Sequence, residues 1–405
     1  MGLSLNSRRL SETRPDIQLP MDLVTEILTR LPTKSLMRFK CVSKLWSSLI
    51  RSQYFNRCFL KVPSQQQHLY ICLSDSRDNR NSIILSSSAP LTTPTASTFV
   101  VNNDVAIQCR GYYSRQNVNG FMCNSYSKAM PRMYNPTTRQ LVTLPAIYSE
   151  PQEHSRFFYG FGHDPVNDQS KVICSARTSS GFPSYTRISE YWVLDLKPGA
   201  SWKKVTPASV DFCLDHVPLL KPGLSFNGVI YSLGLIHDIH ANNYVVVSFD
   251  IGSEEFRTIQ IPSIEGLIKD VTLIEYGGKL TVFDHTHLTN EGKFFLWVLE
   301  DAGNKEWSRK TLVLKPTQLH LVNDIIFTVK GTTQSGKVLL IPDLLLSPFH
   351  ILCYDLQNND MRKIDIIGIP NHWLFRATHI RFDLMFMDQS ESIMHLDTLT
   401  NLFYL

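Results

Sequence analysis

The chain has 405 residues, 43% of them hydrophobic and 19% charged, with a formal net charge of +4. That balance suits globular domains with sizeable cores and excludes wholesale disorder, collagen and coiled coil. The richest apolar stretch, residues 338–354, is broken by Pro342, Asp343, Pro348 and His350, whereas a membrane span needs about 20 mostly apolar residues.

Residues 1–16 read as a flexible N-terminus without the apolar core of a secretory signal. Gly2 invites N-myristoylation, but Asn6 stands where the motif needs Ser or Thr. The eight cysteines (41, 58, 72, 109, 123, 174, 213 and 353) include no Cys-x-x-Cys pair. Reduced thiols in a cytoplasmic and/or nuclear protein are the expectation. Charge is uneven: residues 1–60 hold ten Lys or Arg against four Asp or Glu. A small basic module is therefore attached to a near-neutral body, and it suits an acidic partner.

Residues 17–60 are predicted to be that module, all-α with three short helices. Leu23, Val24, Ile27, Leu28 and Leu31 recur on a helical period. Pro20 suits a first helical turn, and Pro32 stops the helix. Thr33 can cap a second helix carrying Leu36, Phe39 and Val42. Ser43 can cap a third carrying Leu45, Trp46, Leu49 and Ile50. Three helices of about ten residues bury too little surface to stand alone, so part of the apolar surface is expected to meet something else.

Leu19-Pro20, Asp22-Leu23, Glu26-Ile27-Leu28, Leu31-Pro32, Leu36, Cys41-Val42-Ser43 and Trp46 together resemble the F-box, the helical module that docks on the Skp-type adaptor of SCF-class ubiquitin ligases. The resemblance implies an adaptor-facing set of Leu19, Pro20, Ile27, Leu28, Leu31, Pro32, Leu36 and Phe39. It leaves Leu23, Val24, Val42, Trp46 and Leu49 to pack the helices. Skp-type adaptors are acidic, so the basic excess is expected to speed association more than to tighten it.

Residues 61–104 read as a partly ordered connection with two strand-like runs, 68–73 and 82–85, and a mobile Ser/Thr-rich loop at 86–97. From 105 to 405 the chain reads as an all-β, propeller-like domain. A hairpin phrase recurs with anchors at Asn135, Asp195, Asp250, Asp301 and Asp355. A second phrase, with Gly120, Gly228, Gly278 and Gly336, is assigned to inner strands where backbones crowd. A β period near 50 residues predicts a kelch-type propeller of about six blades, or alternatively seven. The first phrase would be the outer hairpin of each blade. Residues 68–85 are expected to close the ring with C-terminal strands at 378–387 and 393–396.

In order along the chain, YNPTTRQLVTLP, FGHDPVNDQSKVI, SFNGVIYSLG, VVSFDIGSEEFRTIQIP, GGKLTVF, LWVLEDAGNKEWSRK and PFHILCYDLQNNDMRKIDI are similar to the landmarks of the F-box-associated interaction domain of plant F-box proteins. The resemblance implies a substrate-recruiting module and no particular target. The longer inter-phrase segments, 150–156, 179–187 and 237–243, are the candidates for target contact.

Other motifs carry less. Residues 331–338 nearly spell a phosphate loop, but Val338 stands where Ser or Thr would hold magnesium, and a strand follows. His237, His240, His285 and His287 lack the partners a closed metal site needs. Residues 223–228 fit a nucleophile elbow poorly and are expected to form a turn. Tyr191, Trp192, Trp202, Trp297 and Trp307 fall in the repeat phrases and are assigned to packing between blades. The body lacks the positive excess of a nucleic-acid surface.

The expected function is a non-catalytic substrate receptor of a cullin–RING ubiquitin ligase. Its partners are a Skp-type adaptor, a cullin held through it and an unidentified protein target. No nucleic acid, membrane, cofactor or metal is expected. The alternatives are an F-box scaffold outside a ligase and, more remotely, a propeller metal oxidoreductase.

Overall fold

A computed structural model describes residues 19–62, 68–75, 82–87, 98–107, 114–118, 120–126, 129–147, 156–179, 187–197, 199–206, 223–237, 242–262, 264, 266–323, 325–333, 336–345, 347–374, 380–387 and 392. The chain divides between residues 62 and 63 into two units.

Among its described residues the first unit holds four helices where the sequence predicts three: α1 (Met21–Thr29), α2 (Thr33–Phe39), α3 (Lys44–Arg51) and α4 (Gln53–Lys61). One residue, Ser52, separates α3 from α4. Its hydroxyl donates to the Leu49 carbonyl at 2.7 Å and accepts from the Phe55 N–H at 3.1 Å, so a single side chain closes one helix and caps the next. Phe55 and Phe59, one turn apart on α4, are buried, with ring centroids 6.4 Å apart. Ser43 caps α3 as predicted, accepting from the Trp46 N–H at 3.1 Å. The cap of α2 differs: Pro32 holds that position, Thr33 is the first helical residue, and the Pro32 carbonyl accepts from Ser35 and Leu36. Pro20 likewise precedes α1 rather than opening it.

The second unit is built from strands. The first four are β1 (His68–Asp75), β2 (Ser82–Ser87), β3 (Thr98–Val100) and β4 (Asn102–Ile107). Sheet two comprises β5 (Ser114–Val118), β6 (Phe121–Tyr126), β7 (Ala129–Asn135) and β8 (Gln140–Thr143). Sheet three comprises β9 (Arg156–Asp164), β10 (Gln169–Ser179), β11 (Arg187–Asp195) and β12 (Lys203–Val205). Sheet four comprises β13 (Leu224–Phe226), β14 (Val229–His237), β15 (Asn242–Asp250) and β16 (Phe256–Gln260). Sheet five comprises β17 (Val271–Tyr276), β18 (Lys279–Asp284), β19 (Lys293–Asp301) and β20 (Glu306–Val313). Sheet six comprises β21 (Phe327–Thr332), β22 (Lys337–Pro342), β23 (His350–Asp355) and β24 (Asp360–Ile367). Last comes β25 (Ile380–Met387).

Sheet one has the order β25-β1-β2-β4, so its innermost strand comes from the far end of the chain. This is the closure predicted from residues 68–85; the companion segment 393–396 lies outside the described residues. The β domain therefore begins at His68, inside the stretch read as connection, and not at 105. Most of the predicted mobile loop, residues 88–97, and the N-terminus 1–16 also lie outside the described residues.

First strands of successive sheets face one another: β25 and β5, β5 and β9, β9 and β13, β13 and β17, β17 and β21. Sheets six and one share a core of Leu69, Ile71, Leu85, Leu339, Ile351 and Ile364, which completes a ring of six sheets. A second link across this junction has no sequence signal. β3 leaves sheet one and pairs in parallel with β24 as the fifth strand of sheet six. It buries Phe99 there, and Val101 then donates to the Ile367 carbonyl at 2.8 Å.

The repeated hairpin phrase does form the outer hairpin of five sheets. The carboxylate or amide oxygens of Asn135, Asp250, Asp301 and Asp355 accept from backbone N–H groups two or three residues on, at 2.7–3.3 Å. Four residues after each anchor stand Arg139, Glu254, Lys305 and Asn359, all with φ between 48° and 58°. The loop is thus an Asx turn closed by a left-handed residue. Asp195 departs from the pattern: its carboxylate lies 2.6 Å from Lys197 and 3.6 Å from Lys171.

The second phrase needs correction. Gly228 and Gly278 sit not at a crowded axis but in the turn from the innermost to the second strand, with φ of 75° and 76°. Asn227-Gly228 and Gly277-Gly278 are two-residue turns of the type that matches strand twist. Crowding falls instead on β9, where a Cβ on Gly162 would lie 2.4 Å from Ile230 Cγ1.

Candidate functional site

Helix α1 has two apolar stripes about 100° apart, Val24–Leu28 and Leu23–Ile27, because each pair is one turn long. The structure turns the first inward. Leu28 is 2% exposed and Leu36 of α2 is 0% exposed, whereas Leu23 and Ile27 are 47% and 53% exposed. Thr25 and Thr29 complete the inner face. Their hydroxyls donate to the carbonyls of Met21 and Glu26 at 2.9 and 3.0 Å, which is how two polar side chains can be buried on a helix.

The assignment by resemblance is corrected accordingly. Leu28 and Leu36 belong to the module's interior and are not open to a partner. Leu19, Pro20, Ile27 and Pro32 are exposed, and Leu31 and Phe39 are half-buried. Among the residues assigned to packing, Val24, Trp46 and Leu49 are half-buried, but Leu23 and Val42 stand in solvent. Trp46 stacks at a tilt on Phe39, with centroids 5.0 Å apart. Met21, Leu45 and Tyr54 extend the exposed apolar surface and carried no partner role in the sequence. Leu45 was legible, since it neighbours Trp46 on a helix and must point about 100° away from it. Tyr54 depends on α4, which the sequence reading lacks.

The surface is basic as well as apolar. Burial, with the charge of Arg51 behind it, pushes the Lys40 ammonium down to about 8. The Glu26–Arg30 pair at 2.5 Å is exposed on both sides and contributes little to stability.

In the β domain, the strands flanking the three candidate target segments share one end of the ring. The opposite end gathers the tight turns: a Cβ on Gly228 would lie 3.3 Å from Asp164 Oδ1, and one on Gly252 3.7 Å from Asn167 Nδ2. The strand ends at Ser179 and Arg187, and at His237 and Asn242, therefore lie at the other end. So does the start of β9 at Arg156. Residues 180–186 and 238–241 lie outside the described residues.

The phosphate-loop look-alike is the β21–β22 hairpin, with Thr333 N–H donating to the Lys337 carbonyl at 2.8 Å. Residues 223–228 are the entry to β13 and its turn. His285 is buried with Nε2 3.0 Å from the Phe327 carbonyl, while His287 Nδ1 lies 3.2 Å from Glu291, so the two rings diverge. Among the described residues no group of three His, Cys, Asp or Glu side chains could hold a metal ion. Nor is any helix there long and apolar enough to cross a membrane. The aromatics of the repeat pack between sheets: Trp202 donates to the Pro145 carbonyl and Trp307 to the Gln260 carbonyl, both at 2.9 Å. Burial raises the thiols of Cys123 and Cys174, and that of Cys353 to about 11, so these cysteines stay protonated and unreactive.

Fold and helical surface together define the class: a small helical module followed by a β-propeller. Residues 17–58 match the F-box domain, and residues 68–390 match the F-box associated beta propeller domain. An F-box/LRR-repeat protein of Arabidopsis thaliana is 46% identical over 394 residues, covering 93% of this chain and 87% of that protein. An F-box protein of the same plant is 41% identical over 403 residues, covering 96% and 95%. An F-box/kelch-repeat protein, also from Arabidopsis, is 37% identical over 406 residues, covering 93% and 90%. The chain belongs to the plant F-box proteins that carry a C-terminal F-box-associated propeller.

Proposed function

We propose that this protein is the substrate-recognition subunit of an SCF-type cullin–RING ubiquitin ligase. The helical module holds a Skp-type adaptor and, through it, a cullin. The propeller holds a protein destined for ubiquitination. The subunit itself is non-catalytic: it raises the effective concentration of a target lysine near the conjugating enzyme.

The observation that carries this reading is the exposed apolar surface of the first unit. Leu19, Met21, Leu23, Ile27, Val42, Leu45 and Tyr54 are each 42–64% exposed on a unit of about sixty residues. Each aliphatic side chain taken fully out of water favours binding by about 1.5–3 kcal/mol, so leaving this many in solvent points to a partner. The basic excess suits an acidic one. Among the described residues, reduced thiols at 41, 58, 123, 174 and 353 support the cytoplasm and/or nucleus as its place of action.

The test is retention of a purified Skp-type adaptor and cullin by the full chain, with Ile27→Asp and Leu45→Asp alongside. Wild type should retain both, and each variant should lose both with its β signal in circular dichroism unchanged. Failure of folded wild type to hold the adaptor removes the receptor reading. Adaptor without cullin would make the protein a scaffold outside a ligase.

A further inference from the structure

We propose that the outer edge of sheet five, strand β20 with Arg309 at its centre, docks an acidic, extended segment of the recruited protein; this rests on the receptor reading above. β20 is the outermost strand of its sheet, and no described strand pairs with its far side. At the far end the Val313 carbonyl already accepts from Asn359 Nδ2 at 2.8 Å; the outward backbone N–H and C=O groups before it, around Arg309, are a template for one more strand.

The charges on this edge set it apart. Cations on neighbouring strands and turns are matched by carboxylates. Lys203 meets Glu254 at 2.8 Å, Lys204 meets Glu190 at 2.7 Å, Arg257 meets Glu255 at 2.9 Å and Arg362 meets Asp360 at 3.1 Å. Lys279 is likewise paired with Glu300. On β20 and its turn, Lys305, Arg309 and Lys310 have no carboxylate partner among the described residues, and residues 305–313 contain a single acid, Glu306.

Arg309 is held in place without using a carboxylate. Its guanidinium carbon lies 4.1 Å from the Phe295 ring centroid and 5.1 Å from that of Trp297. Trp297 is its direct partner across the β19–β20 ladder, and Phe295 is two residues along the same strand. Ring faces orient the plane of the guanidinium but leave its N–H fork on the rim available. That fork matches a carboxylate with two parallel hydrogen bonds. Lys310, next along the strand, projects from the opposite face, where its Nζ donates to Tyr276 Oη at 3.0 Å and keeps two further donors. What these two cations share is the edge itself. An extended segment added there alternates its side chains across the same two faces, so acids on both of its faces meet a cation.

The experiment titrates a short, fluorescein-labelled peptide of Asp and Glu interspersed with Val and Thr into the full chain, followed by fluorescence anisotropy. A second peptide has every acid replaced by its amide. The acidic peptide should bind at least about tenfold more tightly than the amide version, and more weakly as salt rises. Arg309→Ala should weaken it about tenfold or more. Arg309→Lys should restore only part, because an ammonium lacks the fork. Arg257→Ala, which removes a cation already paired on sheet four, should change nothing. Absence of binding, or equal binding by Arg309→Ala, overturns the proposal and leaves these cations as guards against edge-to-edge aggregation. Adaptor retention is measured on the same samples: adaptor held without peptide binding sinks this inference alone, and adaptor lost by wild type sinks the receptor reading.

Discussion

Ile27 and Leu28 are neighbours on α1 with opposite exposure, 53% and 2%, and truncating each to Ala separates folding from docking. Leu28→Ala removes three buried carbons and should cost about 2–5 kcal/mol of folding free energy. A unit of this size holds only about 3–5 kcal/mol, so most of the module should open. Ile27→Ala removes atoms already half in water and should cost folding under about 1 kcal/mol. Against the adaptor the same atoms become buried, so the loss there should be about 1–3 kcal/mol, roughly 5- to 150-fold in affinity. Hydrogen–deuterium exchange with mass spectrometry on the full chain reads residues 21–61 apart from the β domain, and calorimetric titration reads the adaptor. Leu28→Ala should strip amide protection from α1 to α4, whereas Ile27→Ala should keep protection and lose affinity. The inward and outward faces of α1 are misassigned if Ile27→Ala loses protection, or if Leu28→Ala keeps it while losing the adaptor.

Two further outcomes concern the β domain. Gly162→Ala forces a methyl to within 2.4 Å of Ile230 Cγ1 and 2.9 Å of its Cδ1, an overlap expected to cost about 1–3 kcal/mol; Ile230→Ala alone should cost about 2–5 kcal/mol. The double variant should be more stable in urea, by tryptophan fluorescence, than the sum of the two losses allows, and strict additivity would break the argument. Glu254 joins sheets three and four by accepting from Lys171 at 2.6 Å and Lys203 at 2.8 Å, and these hydrogen bonds hold its carboxyl below the usual 4.5. A depressed folded pKa gives stability that is full above 4.5 and lost as pH falls through the folded value. Wild type should therefore lose melting temperature below pH 4.5 more steeply than Glu254→Gln, which should already be the less stable of the two at pH 7. Parallel acid limbs would show that the pair contributes nothing.

Much of this was written locally. Leu, Ile and Val at helical spacing mark α1, and Ser43 marks the start of α3, because helix periodicity and capping act within four residues. The outer hairpins are legible for the same reason: an Asx side chain reaches backbone N–H groups two or three residues on. The miss at α4 had a local signal, Ser52 followed by Phe55 and Phe59, but Phe and Tyr so close behind α3 read equally as its continuation. Asp164 forms the same Asx turn, with Val166 N–H donating at 2.9 Å and Asp168 at φ 50°, and was hidden because its hairpin is the inner one of sheet three.

By itself the sequence determined the two-part organisation, the helical module and its family, the β repeat and the ring closure by the C-terminal strand. Each rests on patterns of a few residues or on repetition of them. Only the tertiary structure decided which of two adjacent apolar stripes on α1 faces water, since α4 and the buried Thr25 and Thr29 select between sides that are equally apolar in sequence. It alone decided that β3 would pair with β24, more than 260 residues away, and that Arg309 would rest on two rings at an open edge. Such contacts depend on where distant segments meet, and composition and spacing hold no record of that.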